Sequence, residues 1–204
     1  MNLEPGALLA WLESRRSVRR FRREDVPRPV LERILRTACA APSAHNRQPW
    51  RFAVVSSGEH RTGLAQAMAA EFRRDLQADG WTPAEAEARA ARAIHRLVEA
   101  PAAVILCGTL AGMDAYPEAR RQEAERVMAQ QSVSLAGGQL LLAAHAEGLG
   151  ACWMCGPLFA PQAVREALDL PGDWEPQAVI VLGWPDEEPA VPDRLPFDDV
   201  ALWR

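Results

Sequence analysis

The chain has 204 residues, 49% of them hydrophobic and 25% charged, with a formal net charge of −4 at pH 7. That length bounds it at one or two domains, and the composition is that of an ordinary globular protein rather than a fibre or a disordered chain. The acidic balance excludes a whole-surface electrostatic grip on nucleic acid, so any bound anion must be held by a local cluster.

Residues 1–12 lack a basic n-region, and Glu4 and Pro5 interrupt their apolar run, so no signal peptide is expected. Residues 6–14 read as a short helix opened by Pro5. Residues 29–41 place Val30, Leu31, Ile34, Leu35 and Ala38 on one helical face, with Pro29 in the first turn and Pro42 as the stop. Residues 51–56 read as a strand. Helices are predicted over 60–78 and 83–99, the second opened by the capping box Thr82-Pro83-Ala84-Glu85. Residues 102–109 form a fully apolar strand, and a long helix is predicted from 118 to 147, stopped by Gly148. Its apolar stretch, 133–146, contains Gly137, Gly138, Gln139 and His145 and falls short of the roughly 20 residues a membrane span needs. Residues 149–154 are a third strand, 161–168 a helix and 177–184 a fourth strand. Pro185, Pro189, Pro192 and Pro196 then turn an acidic stretch into an extended arm. The expectation is one domain over 1–204, with 185–204 as the arm. Pattern alone reads as an α/β layered protein, with a doubly wound sheet as the form that alternation suggests. The four cysteines are expected as reduced thiols in a cytoplasmic protein.

Three constellations could carry chemistry. Residues 14–23 hold Arg15, Arg16, Arg19, Arg20, Arg22 and Arg23 with Ser14 and Ser17 among them. Arginine forks pair bidentately with phosphate oxygens, so the stretch is either an anion site or a solvated basic loop. Residues 41–50, Ala-Pro-Ser-Ala-His-Asn-Arg-Gln-Pro-Trp, put short polar side chains between two prolines. They either face a ligand or make an ordinary helix–strand connection with Trp50 in the core. Residues 148–157, Gly-Leu-Gly-Ala-Cys-Trp-Met-Cys-Gly-Pro, form a glycine-flanked turn able to lie against a planar ligand. A redox dithiol at Cys152 and Cys155 would sit at a helix start, which is expected nearer Pro161, and a zinc site lacks a second ligand pair. His145 reads as a core histidine, and His60 and His95 as surface residues. No nucleophile elbow, P-loop or Gly-x-Gly-x-x-Gly occurs.

Taken in this order, the three segments resemble the nitroreductase family of flavoproteins, over nearly the whole chain. Residues 15–19 are similar to its phosphate and ribityl loop, and 41–50 to its Pro-Ser-x-x-Asn-x-Gln-Pro-Trp motif. Residues 124–128, 143–150, 152–153 and 168–176 resemble most the flavin-binding half of the bifunctional enzymes that mature the deazaflavin coenzyme F420. None of these segments resembles the ligase half of those enzymes, so no γ-glutamyl ligation is expected.

The resemblance implies an α+β fold around a mixed sheet flanked by helices, a homodimer with an exchanged C-terminal arm, and FMN as cofactor. It assigns Arg15, Arg16, Ser17, Val18 and Arg19 to the phosphate and ribityl chain, and Ser43 to a further FMN contact. Cys155 and Gly156 fall where backbone amides approach the isoalloxazine ring. Arg194 falls at a late basic residue that reaches the phosphate, and Asp75 at the substrate contact of the deazaflavin-binding relatives. No catalytic side chain is implied, because a flavin carries the hydride itself. The implied donor is NADH, NADPH or a reduced deazaflavin, and the implied acceptor is planar and electron-poor, with dehydro-F420-0 the leading candidate. Alternatives are an oxygen-using relative that makes dimethylbenzimidazole, a non-catalytic flavin or deazaflavin binder, and a thiol–disulfide enzyme.

Overall fold

The computed structural model describes residues 4–204. Its strands β1 (Trp50–Val55), β2 (Ala102–Gly108), β3 (Gly150–Met154) and β4 (Glu175–Gly183) form one sheet in the order β1-β2-β4-β3. Every pairing among them is antiparallel. Among the described residues, a parallel component enters only at the free edge of β3, where Ser17 bridges Ala151. The class is therefore α+β, and the doubly wound parallel sheet suggested by pattern alone is not what forms.

Helices cover both faces. They are α1 (Pro5–Ser14), α2 (Arg28–Ala38), α3 (Gly58–Ala78), α4 (Pro83–Val98), α5 (Ala119–Ala146), α6 (Gly156–Phe159), α7 (Pro161–Leu168) and α8 (Phe197–Val200). Successive β2 side chains alternate between two cores. Ala102 and Val104 pack with Leu31 and Ile34 of α2 and Leu140 of α5. Ala103, Ile105 and Cys107 pack with Leu64 of α3, Leu97 of α4 and Val164 of α7. Burial pushes the Cys107 thiol up to about 12, which leaves it neutral and inert.

Capping chemistry places the helices where the sequence predicts them. Thr82 Oγ1 accepts from the Glu85 amide while the Glu85 carboxylate accepts from the Thr82 amide. The long α5 ends in a Schellman motif, with the Leu149 amide donating to the Ala144 carbonyl and the Gly148 amide to that of His145. Gly148 takes φ 77° to make it. Two short helices, α6 and α8, were not expected, because four residues give no readable period.

On α5, Gly137 is a contact rather than a spacer. A Cβ there would lie 2.2 Å from the Trp153 ring and 2.7 Å from Leu106 Cδ2, whereas one on Gly138 would meet nothing within 4 Å. Gly137→Ala is thus expected to destabilise the fold by about 1–3 kcal/mol through overpacking, against the usual gain from removing a helical glycine. Gly138→Ala in the isolated chain should be neutral or stabilising by up to about 1 kcal/mol. Chemical denaturation of both variants checks this; equal effects would remove the Trp153 contact from the account.

The arm, 185–204, is tied near its start by a bridge between Phe21 and Pro185 and by the Asp186 amide donating to the Arg20 carbonyl. Beyond Val191 its large apolar side chains are exposed, Leu195 at 73% and Trp203 at 84%. Among the described residues, no helix is long and apolar enough to cross a membrane.

Candidate functional site

After Ser14 the chain leaves α1 in an extended conformation at Arg15 and runs along the free edge of β3. The Val18 amide donates to the Ala151 carbonyl at 3.0 Å, and the Arg22 amide to that of Trp184 at 2.9 Å. A Cβ on Gly150 would come within 2.6 Å of the Val18 side chain, so the absence of one is what lets the loop lie flush on the strand. From the arm, the Glu187 carboxylate accepts from the amides of Arg19 and Arg20 and from Arg20 Nε at 3.1 Å. Those bonds, the Arg19 amide first, hold the Glu187 carboxyl below its usual range.

Two cavities flank this edge. The first, about 440 Å³, is lined by Ser14, Arg15, Arg16 and Val18 from the loop, His145 from α5, and Gly150 and Ala151 from β3. Arg16 is tied to the backbone, donating from Nη1 to the carbonyls of Glu13 and Arg15. The second cavity, about 590 Å³, lies between α3, α4 and the end of β3. Met68, Phe72, Ile94 and Phe159 give it apolar walls, with Arg19, Asp75, Cys155 and Gly156 among its other lining residues.

Of the residues singled out in the sequence, Arg15, Arg16 and Val18 therefore meet in one cavity and Arg19, Asp75, Cys155 and Gly156 in the other. Ser17 makes the bridge between loop and strand. Ser43 and Arg194 line neither cavity. Ser43 lies in the loop after α2, where its Oγ accepts from the Gln48 amide at 3.0 Å, and Ser132 of α5 accepts from the Ala44 amide at 3.2 Å. Within that loop His45, Asn46 and Gln48 all have positive φ, 49°, 55° and 49°. Such backbone costs on the order of 1–3 kcal/mol per residue and persists only where the surroundings hold it. Here Trp50 is buried and Arg47 pairs with Asp114 at 2.8 Å, so the loop is fixed rather than an idle connection.

Two sequence readings need correction. A short helix begins directly after Cys155, ahead of the expected one that starts at Pro161, because Pro157 falls in the first turn of α6, where proline is welcome. Cys155 is exposed and Cys152 buried, and the Trp153 indole Nε1–H points at Cys155 Sγ, 3.1 Å away. His145 is hydrogen-bonded, as a core histidine would be, yet it is only partly buried and faces the first cavity. Glu187 was missed altogether: its sequence context is a proline-rich acidic stretch, and only the folded arm reveals what it holds. His60 and His95 are exposed, as expected. No group of three or more potential metal ligands occurs among the described residues.

The Nitroreductase family profile matches residues 12–184. The chain belongs to the nitroreductase family. It is similar to the 5,6-dimethylbenzimidazole synthase of Rhodospirillum rubrum, 35% identical over 196 residues that cover 92% of this chain and 84% of that protein. It is equally similar, 35% over 214 residues, to an NADH dehydrogenase of Thermus thermophilus, covering 93% and 92% of the two chains. Among solved structures, a BluB-like flavoprotein from Clostridium difficile superposes over the full length of both chains with a TM-score of 0.82 at 22% identity. A nitroreductase in complex with FMN from Desulfovibrio desulfuricans gives 0.74 at 24% identity, covering 100% and 98%. These likenesses establish the nitroreductase fold.

The donor set of this nitroreductase-family chain suits a ligand with one anionic and one planar apolar end. Guanidinium groups in the first cavity are the chemistry that holds a phosphate. The second is mainly apolar and within the range of small-molecule sites. Its Gly156 amide stands at the start of α6, and a Cβ on Gly156 would press on Met68 Cε at 2.6 Å.

Proposed function

We propose that the chain is an FMN-dependent oxidoreductase that passes a hydride from a reduced nicotinamide to a planar, electron-poor acceptor. One observation carries the reading: consecutive residues of one strand edge serve both cavities. Gly150 and Ala151 line the arginine-bearing cavity, and Cys152 to Gly156 line the apolar one. A flavin nucleotide has those two ends joined by a flexible chain. The family membership, the FMN complex of the Desulfovibrio structure and the NADH dehydrogenase name of the Thermus relative support it.

When bound, FMN supplies reversible two-electron hydride acceptance. The protein's part is to bind, orient and exclude water. Arg15, with Arg16 and Ser17 behind it, would hold the phosphate, and Arg19 would reach the chain toward the ring. Amides at Cys155 and Gly156 would meet the ring edge. Met68, Phe72, Ile94 and Phe159 would enclose the space in which donor and acceptor alternate, and such a broad apolar slot discriminates weakly among flat molecules. Ser43 and Arg194 line neither cavity of one chain, and the proposal has them meet the cofactor from a second copy, which makes a homodimer with two flavins part of it.

Two acceptors are put forward. Dehydro-F420-0 is favoured by the segments that resemble the deazaflavin-maturing enzymes and by Asp75 in the cavity wall. Molecular oxygen, with consumption of the flavin to dimethylbenzimidazole, is favoured by the Rhodospirillum relative. Purified protein is expected to show a flavin absorption spectrum and to oxidise NADH or NADPH in the presence of a quinone or nitroaromatic. Dehydro-F420-0 turnover and dimethylbenzimidazole formation under air then separate the acceptors. A colourless protein that does not take up added FMN would sink the proposal.

A further inference from the structure

One group in the first cavity has no part in the scheme above. His145 sits in the last turn of α5 and stacks on Trp11, ring centroids 4.9 Å apart. Its Nε2 lies 2.9 Å from Ser14 Oγ. Ser14 has a single hydroxyl proton, and that proton is directed at the Trp11 carbonyl, 2.7 Å away. The serine oxygen is therefore the acceptor and His145 Nε2 carries the hydrogen. Two contacts thus fix the ring in place, and Nδ1 is left as the nitrogen that takes any added proton. Arg15 and Arg16 line the same cavity.

We infer that His145, oriented by Ser14, is a further phosphate-binding residue, which takes up a proton when the phosphate of the flavin nucleotide enters the cavity. The inference rests on the FMN reading and goes beyond it by adding a titrating group to a site otherwise built of permanent charges.

The surroundings support this. In the free protein, burial and then Arg15 and Arg16 hold the imidazole below its ordinary value, against the Trp11 carbonyl, which favours the protonated ring. A third positive charge beside two guanidinium groups is disfavoured until an anion of about −1.5 to −2 arrives, after which it is attracted. The C-terminal end of α5 favours a cation as well. The carboxylates nearby are largely committed elsewhere. Glu187 holds the Arg19 and Arg20 amides, and Glu147, on α5 itself, pairs with Arg33 of α2 at 2.8 Å. Glu188, on the arm, also lines the cavity.

The sign follows. A group whose pKa is low in the free protein and raised in the complex strengthens binding as pH falls from above its bound value toward its free value. The phosphate's own second ionisation, near 6, acts the other way, so the comparison must be with His145→Gln, which keeps a donor toward Ser14. The test titrates full-length apo-protein with FMN and with riboflavin by flavin fluorescence, from about pH 5.5 to 8.5, in parallel with histidine ring NMR. His145→Gln is expected to weaken FMN binding about tenfold at pH 6, and less than about twofold at pH 8.5, with riboflavin unchanged. One histidine resonance, missing from the variant, should titrate at least about one unit higher with FMN bound. Equal losses at both pH values, or FMN binding with no histidine shifted, would overturn the inference and leave the cofactor assignment standing. Failure of the wild-type protein to bind FMN would overturn both.

Discussion

Arg15→Ala is expected to weaken FMN binding at least tenfold and to leave riboflavin, which lacks the phosphate, unaffected. The two arginines of the first cavity are not equivalent. Arg16 spends its guanidinium on the carbonyls of Glu13 and Arg15, which braces the end of α1. Arg15 makes no such side-chain bond among the described residues, so its fork remains to meet an anion. A lost charge-assisted contact is worth about 1.5–3 kcal/mol, and one factor of ten in affinity corresponds to about 1.4 kcal/mol. Arg16→Ala should cost FMN affinity too, but should also lower thermal stability, because the helix end loses its brace. Equilibrium titration of the apo-proteins with both flavins checks the ordering. Unchanged FMN affinity in Arg15→Ala would remove the loop from the phosphate site.

The elements themselves were largely legible, because each carries a local signal. Proline at the first turn of α1, α4 and α7, the capping box at Thr82 and the glycine after α5 all mark ends that depend on neighbouring residues only. Strand direction is a different matter. All seven residues of β2 are apolar and buried, a run that ordinarily points to a parallel sheet covered on both sides. Here helices cover both faces of an antiparallel sheet, and burial on both faces erases the alternation whichever way the strands run. The direction was recoverable only from the resemblance of the whole motif order to a known family.

The site was legible in its chemistry and not in its assembly. Arg15, Arg16 and Arg19 are neighbours in the chain and read as one cluster, yet they divide between two cavities because the loop runs parallel to β3 at Ser17 and passes from the first cavity, at its start, to the second. His145 is 131 residues from Ser14, and on the apolar α5 nothing local distinguishes a core histidine from one facing a cavity. Glu187 meets the Arg19 amide across 168 residues. Such contacts are set by topology, and a single sequence carries no record of them. The 41–50 loop lies between these cases. Its prolines announced an irregular turn, but the three positive-φ residues His45, Asn46 and Gln48 depend on the tertiary contacts of Trp50 and Arg47.

Removing the arm is expected to cost both dimer stability and FMN affinity, and the point of truncation decides what is learned. A chain ending at Pro185 also loses Glu187, and with it the bonds that pin the Arg19 and Arg20 amides. Its FMN affinity would fall even if the rest of the arm did nothing. A chain ending at Pro192 keeps that pin and removes Arg194 with Leu195, Phe197, Val200, Leu202 and Trp203, each more than 60% exposed in the single chain. Such a concentration of exposed apolar side chains has no folding rationale of its own, and it has a counterpart in Leu9 of α1 and Leu135 of α5, exposed at 58% and 51%. Burying each large side chain against a second copy would contribute about 1.5–3 kcal/mol before the cost of ordering the arm is subtracted. The 1–192 chain should therefore dissociate at concentrations at least tenfold higher than the full-length protein, as measured by sedimentation velocity. It should also bind FMN more weakly at any concentration where it is monomeric, since cofactor binding and assembly are then linked. Arg194→Ala in the full chain separates the two contributions. It should lower FMN affinity while leaving the dimer intact, because the apolar contacts remain. A 1–192 chain that stays dimeric and binds FMN as tightly as the full-length protein would show that neither Arg194 nor the apolar tail reaches a partner.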